Sequence, residues 1–337
     1  MDFKIFLIFL GIFCEIFAKI ELSKEDEERI FEEYAARYNL RRGRTNEVDE
    51  MKKNVLRRYK NILQHNELYG KGASSFLETL NEFSYKSNEE LKKTSLGFKG
   101  NASSNFNDGG IKVPILERNA RSSLPSYFNW ADHGIVRPVQ NQHSCNACYA
   151  FAAIGAIEGA ACKNLGQCSK LSEQEAMECT NGCDSGWDYE VYQYSTLNYG
   201  CTSAAYPYYA RNMAHCTAAR SRKRVANTRV TGWHNLPPDA ETIRYHLFHS
   251  GPISMSFYVY ENFFSYYSGI YSSTEGSDLM GGHAVLLTGY GTENGIDYWI
   301  LRNSWGDDWG EKGYFRIRRG INLCNCESWK VSYPIVA

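Results

Sequence analysis

Two cysteines three apart, Cys145 and Cys148, stand in "NQHSCNACYAFAAIGAIEG" just before a run of small and apolar residues. Such a pair admits four readings: a metal clip, a redox dithiol, a disulfide cysteine beside a free nucleophile, or a buried helix start. A helix over the run from 148 onward puts Cys148 in its first turn. Unpaired backbone N–H groups and the positive end of the helix dipole then favour thiolate, the reactive form, over thiol. A thiolate nucleophile still needs a proton carrier, and histidine titrates in the right range. Of eight histidines, His283 stands out in "GGHAVLLTGYG", at the lip of an apolar strand. A lone histidine there is more often structural than catalytic. Asn303, in "YWILRNSWGDDWGEKGYF", ends another apolar strand and precedes Trp305. Its amide could fix an imidazole tautomer while the indole keeps water off, or the run could be an aromatic core turn. Gln142 could donate its amide to an oxyanion beside the Cys148 N–H, although alone it is a polar loop residue.

These residues need a scaffold, and the chain has the means for one. It holds 337 residues, 43% hydrophobic and 22% charged, which is globular in texture, and 24 Tyr with 7 Trp supply cores or peptide clefts. A net charge of -1 gives no argument for nucleic-acid or acidic-membrane partners. Residues 1–18 have a short basic start and an apolar stretch too short to span a bilayer, and read as a signal peptide. All of the 11 cysteines except Cys14 lie between Cys145 and Cys326, in a compartment that permits disulfides. Residues 19–100 read as charged amphipathic helices: Ser23 with Asp26 resembles a capping box, with Ile30, Phe31, Tyr34 and Tyr38 following at helical spacing. A second helix carries Val48, Met51, Val55, Tyr59 and Ile62 on one face. The stretch 97–110 reads as a flexible loop with one glycosylation sequon at Asn101. Residues 148–163 read as a helix buried on all sides, "LSEQEAMEC" as a helix start, and the segments after about 225 as strands. Helices followed by strands indicate an α+β protein with two packed halves.

Taken together, "PVQNQHSCNACYAFA", "GGHAVLLTGYG" and "RNSWGDDWGEKGYF" resemble the papain-like cysteine proteases, of the cathepsin L type. His283 and Asn303 follow Cys148 by roughly 135 and 155 residues, near the family's separations. The resemblance covers about residues 122–337. It implies a two-subdomain α+β fold, helical on one side and β-barrel-like on the other, with a cleft between. It implies Cys148 as nucleophile, His283 as acid/base, Asn303 as its orienter, Gln142 in the oxyanion hole and Trp305 as a shield. Substrate contacts would come from Ser185, Gly186, Trp187, Ser256, Gly281, Gly282, Trp305 and a residue within 328–330. It pairs Cys145 with Cys183 and Cys179 with Cys216, and implies neither metal nor organic cofactor. Cys162 and Cys168 flank a turn-like stretch, so proximity makes a third bridge reasonable. Cys324 matches a family cysteine whose partner position here holds none, and Cys201, Cys324 and Cys326 stay unassigned.

The N-terminal region resembles the family's inhibitory propeptide in part. The family helix has Glu, Arg, Phe, Asn, Ile and Asn at the positions of Glu47, Met51, Val55, Arg58, Ile62 and Asn66; Asn81 and Phe83 match the next motif, and Tyr85 replaces an Asp. A propeptide over 19–122 and a peptidase domain over 123–337, cut near 117–125, are the expected organisation. Other departures are His143 and Asn146 for glycines, Tyr149 for Trp, Ser185 for Gly, and Gly282 where Asp or Asn is common. The function implied is a secreted zymogen of a cysteine endopeptidase, lysosomal or extracellular. Expected partners are peptide and protein substrates, the chain's own propeptide and cystatin-like inhibitors, with a monomeric state and no nucleic acid or membrane. A catalytically weak relative that binds peptides is the alternative that His143, Asn146 and Ser185 motivate. Thiol–disulfide exchange and a structural zinc site are weaker readings, lacking a βαβ pattern and a second suitable pair.

Overall fold

The computed structural model describes residues 21–40, 45–98, 108–117, 124–213, 216 and 223–337. The signal-peptide segment, the Asn101 sequon and residues 118–123 of the expected processing region lie outside the described residues.

Two helices open the described chain. In α1 (Lys24–Arg37) the Ser23 hydroxyl accepts the Asp26 N–H at 3.1 Å, satisfying one of the four orphan donors of the first turn. Phe31 and Tyr34 then pack on Val55 of α2 (Thr45–Gly70), with Val48 and Met51 against the same cluster. Met51 and Val55, two departures from the family pattern, are thus the surface on which α1 rests. Arg58 is buried in α2 and donates to the carbonyls of Phe83, Ser84 and Lys86 and to the Asn88 side chain. A buried guanidinium is tolerated only with such partners. Asn66 exchanges two hydrogen bonds of 2.9 Å with the Glu78 backbone, which fixes β1 (Phe76–Glu78) beneath α2. Short elements α3 (Asn88–Thr94), β2 (Ile111–Lys112) and β3 (Phe128–Asn129) complete the approach.

The helical half is organised by α4 (Cys148–Leu165), in which every residue from Cys148 to Cys162 is buried. Its run of alanines and glycines lets neighbours approach on all sides, as the absence of a polar face requires. Around it lie α5 (Glu173–Glu178), capped by the Ser172 hydroxyl, and α6 (Asp188–Leu197). Three disulfides staple this half: Cys145–Cys183, Cys179–Cys216 and Cys162–Cys168. Cys148, Cys201, Cys324 and Cys326 are free thiols. Because Cys145 is committed to Cys183, the Cys145–Cys148 pair neither closes on itself nor offers two thiolates to a metal.

The second half is a mixed sheet. Its further strands are β4 (Val230–Asn235), β5 (Ile253–Tyr260), β6 (Tyr266–Tyr271), β7 (Leu279–Glu293), β8 (Ile296–Arg302), β9 (Tyr314–Arg318) and β10 (Lys330–Val336). Helices α7 (Ala240–Ser250) and α8 (Glu261–Phe264) flank β5. The strand order is β1-β6-β9-β8-β7-β5-β10-β4-β2, with β3 on β7. Both outermost strands therefore come from the N-terminal region: β1 runs antiparallel to β6, and β2 parallel to β4. A dense aromatic core that includes Phe257, Phe263, Trp299, Trp305, Trp309 and Phe315 fills this half. A second core surrounds α4, and Ala284 of β7 belongs to it. The start of α4 thus meets the middle of β7, at the seam between the halves.

Candidate active site

Cys148 opens α4, where the residue before it provides no side-chain cap. Its sulfur accepts the Ala284 N–H at 3.4 Å, so His283, one residue earlier on β7, stands beside it. The helix start was expected to lower the thiol pKa. Instead burial pushes it up to about 12, outweighing the backbone donors of Ala284, Tyr149 and Cys148 itself. The side chain is fully buried in a cluster that includes Phe98 from the N-terminal region. Desolvation of a sulfur anion wins over a few partial charges.

His283 is also fully buried, and this lowers its pKa to about 4 against the opposing bond from Asn303. Its Nε2 lies 2.8 Å from Asn303 Oδ1, which also accepts the Ser304 N–H at 2.8 Å. That second donor identifies the amide atom as oxygen, so Nε2 carries the proton and Nδ1 is the basic nitrogen. Nδ1 has no hydrogen-bond partner. Asn303 follows β8 directly, and its backbone N–H is tied to Gly313 at 2.8 Å. Trp305 packs its ring 4.8 Å from His283 and stacks on Phe264 at 4.8 Å. Gln142 is held on three sides. Its N–H donates to the Ser304 carbonyl at 2.8 Å, its Oε1 accepts the Ser304 hydroxyl at 2.6 Å, and Tyr208 donates to its carbonyl at 2.9 Å. Ser304 is the residue that sequence reasoning passed over; its only signal is its place between Asn303 and Trp305.

A stretch of the chain's own backbone lies across these groups. The expectation of a flexible loop from residue 97 fails here, because Gly97 and Phe98 are pinned on both sides. The N–H groups of Gly97 and Phe98 reach the Gly282 carbonyl at 3.3 Å each, and the Gly186 N–H donates to the Gly97 carbonyl at 3.0 Å. Ser95 offers its carbonyl to Trp305 Nε1 at 3.0 Å and to Gln142 Nε2 at 3.4 Å; Gln142 Nε2 also donates to Cys145 at 2.9 Å. Asn146 holds the Lys93 carbonyl at 2.7 Å. Phe98 pairs parallel with Gly186 and antiparallel with Gly282, and its ring meets Trp187 and Trp329 edge-on at 4.5 and 5.0 Å.

Four of the expected substrate contacts, Gly186, Trp187, Gly282 and Trp305, therefore touch this segment. Gly281 faces it through Leu96, whose Cδ1 lies 2.9 Å from where a Cβ would stand. Ser185 adjoins Gly186, and Ser256 is buried with its hydroxyl unpartnered, opposite Ala284 and Lys330 in the sheet register. Within 328–330 it is Trp329 whose ring meets Phe98. It also explains Gly282: a Cβ there would lie 2.3 Å from the Trp329 ring, so no side chain fits.

The pattern for papain family cysteine proteases matches residues 124–335. The chain belongs to the papain family. It is 35% identical over 316 residues to cysteine proteinase 3 of Solanum lycopersicum, covering 91% of this chain and 84% of that one. It is 35% identical over 298 residues to a cathepsin L-like proteinase of Fasciola hepatica, covering 86% and 88%. Its fold superposes on the digestive procathepsin L2 proteinase from Tenebrio molitor larval midgut with a TM-score of 0.78 at 29% identity, covering 91% and 99%. The stem bromelain precursor gives 0.76 at 27% identity, covering 92% and 98%.

As a papain-family protein the chain is a cysteine-type peptidase, and its N-terminal region is a propeptide docked on the protease. Two of its departures from the family keep the backbone path that glycine would take. His143 and Ser185 adopt φ of +49° and +68°, left-handed values that cost a non-glycine residue roughly 1–2 kcal/mol. His143 is steadied by its N–H bond to the Asn141 side chain at 2.7 Å. Among the described residues no helix is long and apolar enough to cross a membrane.

Proposed function

We propose that this papain-family chain is the zymogen of an endopeptidase that works through Cys148, His283, Asn303 and Gln142. Residues 1–18 direct it into the secretory pathway, towards the lysosome or extracellular space, and residues 19–122 act as inhibitor until cleavage near 117–125. The observation that carries the reading is the peptide already in the cleft: Ser95–Phe98 lies bonded to Gly186, Gly282, Trp305 and Gln142. A surface that binds an extended backbone and an aromatic side chain is a peptide-binding surface.

In the proposed reaction His283 Nδ1 takes the Cys148 proton, and the thiolate adds to the carbonyl carbon of a peptide bond. Gln142 Nε2 and the Cys148 N–H stabilise the oxyanion. The imidazolium protonates the leaving amine as the C–N bond breaks. Water, deprotonated by His283, then hydrolyses the thioester and returns the thiol. Asn303 accepts from Nε2 and so leaves Nδ1 as the free basic nitrogen, and Trp305 packs against the ring beside that bond.

Thiol reactivity tests this reading. With a pKa of about 12, Cys148 in the intact chain at pH 7 is thiolate only to about one part in 10⁵. A thiol-directed electrophile is expected to label Cys148 slowly before propeptide removal and at least about 100-fold faster after it. Peptide hydrolysis should appear in parallel. Fast labelling without hydrolysis would instead favour the peptide-binding relative.

Release of the propeptide is expected to depend on pH through opposed groups. Burial in the intact chain lowers the His283 pKa from 6.5 to about 4, so any opening that hydrates the ring takes up a proton, and acid is expected to loosen the cover as pH falls towards 4. Glu78 acts the other way. Burial, reinforced by Glu261, raises its pKa from 4.5 to about 8, so docking is fully favoured below 4.5 and weakens as pH rises towards 8. Glu78→Gln removes that weakening. Processing at pH 6.5 should then slow by about tenfold while processing at pH 4 changes by less than about twofold, read as loss of full-length chain with time.

A further inference from the structure

Beside the aromatic pocket the propeptide docks a carboxylate. Asp108 is buried; its Oδ1 accepts Asn235 Nδ2 at 2.8 Å and the Gly110 N–H at 2.9 Å, and its Oδ2 is ion-paired with Lys330 Nζ. Lys330 also donates to Asn235 Oδ1 at 2.7 Å, so ammonium and amide form one preassembled fork. This fork adjoins the surface that grips Phe98. Lys330 follows Trp329 in the chain, and its ammonium lies 5.7 Å over the ring of Tyr189, itself 6.2 Å from the Trp187 ring. From α6, Gln193 reaches the Asp108 carbonyl at 3.5 Å.

Asp108 belongs to the part of the chain that leaves on processing; Lys330 and Asn235 do not. Among the described residues Asp108 is the one carboxylate ion-paired with Lys330. Asp188, on the neighbouring α6, is engaged otherwise, accepting the Ser332 hydroxyl at 2.5 Å and the Tyr189 N–H at 2.8 Å. Removing Asp108 leaves Lys330, whose side chain is 13% exposed in the intact chain, a cation without that counter-ion. Such a group is unfavourable alone and favours an incoming anion of the right reach.

We propose that Lys330 and Asn235 form a carboxylate-binding subsite of the processed enzyme, which selects peptides carrying Asp or Glu close to the residue that fills the aromatic pocket. The inference rests on the peptidase reading above and names its substrate class. The charge-assisted bonds that hold Asp108 hold the substrate carboxylate, and Glu is discriminated from its neutral isostere Gln because only the anion neutralises Lys330.

The test uses the full chain, processed to the mature enzyme, with fluorogenic peptides that carry one aromatic residue. A Glu or a Gln is placed at each of four residues on either side of the cleaved bond. At one position the wild type is expected to show a Glu-to-Gln ratio of kcat/KM of about ten, shrinking as salt is raised. Lys330→Arg should keep a ratio above one, Lys330→Met should bring it to about one, and Lys330→Glu should invert it. A wild-type ratio near one at every position, with peptides otherwise cleaved, overturns the subsite alone. A wild type that cleaves no peptide overturns the peptidase reading, and the subsite with it. The wild-type ratio and its salt dependence decide the matter even where a variant does not fold.

Discussion

Cys148→Ala is expected to fold, keep its propeptide and lose peptide hydrolysis by at least about 10⁴-fold, the scale on which loss of a covalent nucleophile is felt. The fold should survive because the sulfur only accepts from backbone donors, those of Ala284 at 3.4 Å, Tyr149 and Cys148 itself, and holds no other side chain in place. Leaving the buried Ala284 donor unpaired costs about 1–3 kcal/mol, which a chain with three disulfides in the same half tolerates. At acid pH the variant should stay at full length, and a trace of processed wild type should shorten it. Turnover within tenfold of wild type would remove Cys148 from the chemistry and with it the proposed mechanism.

Gly97→Val should have the opposite outcome, an unprocessed chain that hydrolyses small peptides at neutral pH. A Cβ at Gly97 would stand 2.1 Å from the Asn146 carbonyl oxygen and 2.4 Å from its carbon, a collision with backbone that no rotamer relieves. Asn146 is held from both sides, by the 2.7 Å bond to Lys93 and by the neighbouring Cys145–Cys183 bridge. The substituted segment must lift, and overpacking of 1–3 kcal/mol raises the open population by roughly 5- to 150-fold. Comparing the hydrolysis rate of uncut Gly97→Val and wild type on a Cys-protecting column eluate, with gels to verify length, measures it. Equal rates would mean that this segment does not control access to the thiol.

The parts legible in the sequence are those whose signal is local. The small, apolar run from 148 announces α4, Ser23 and Ser172 announce helix starts, and the β-rich segments around His283 and before Asn303 announce β7 and β8. Cys148 opens α4 and Asn303 directly follows β8, whereas His283 lies inside β7 and Gln142 in the loop before α4, so only the first two stand at an element's end. Trp329 was out of reach for a local reason: it follows Asn322, Cys324 and Asn325, three residues with φ of +53°, +56° and +58° that break any strand or helix period. Ser95–Phe98 was out of reach for a non-local one. Nothing in its own composition distinguishes it from a loop; its order comes from Gly186, Gly282, Trp187 and Trp329, which are far away in the chain. The depressed thiol pKa expected from the helix start assumed a wetted sulfur, and the same segment removes the water.

The placement of β1 and β2 reaches beyond inhibition. Since the propeptide supplies the first and last strands of the sheet, its departure strips both margins at once. Tyr266–Tyr271 on one side and Val230–Asn235 on the other then present unpaired backbone donors and acceptors, with Tyr267 already exposed. Open margins of this kind invite pairing with another chain. Loss of the propeptide is therefore expected to make the processed chain more prone to self-association than the uncut one, read as sedimentation at matched concentrations.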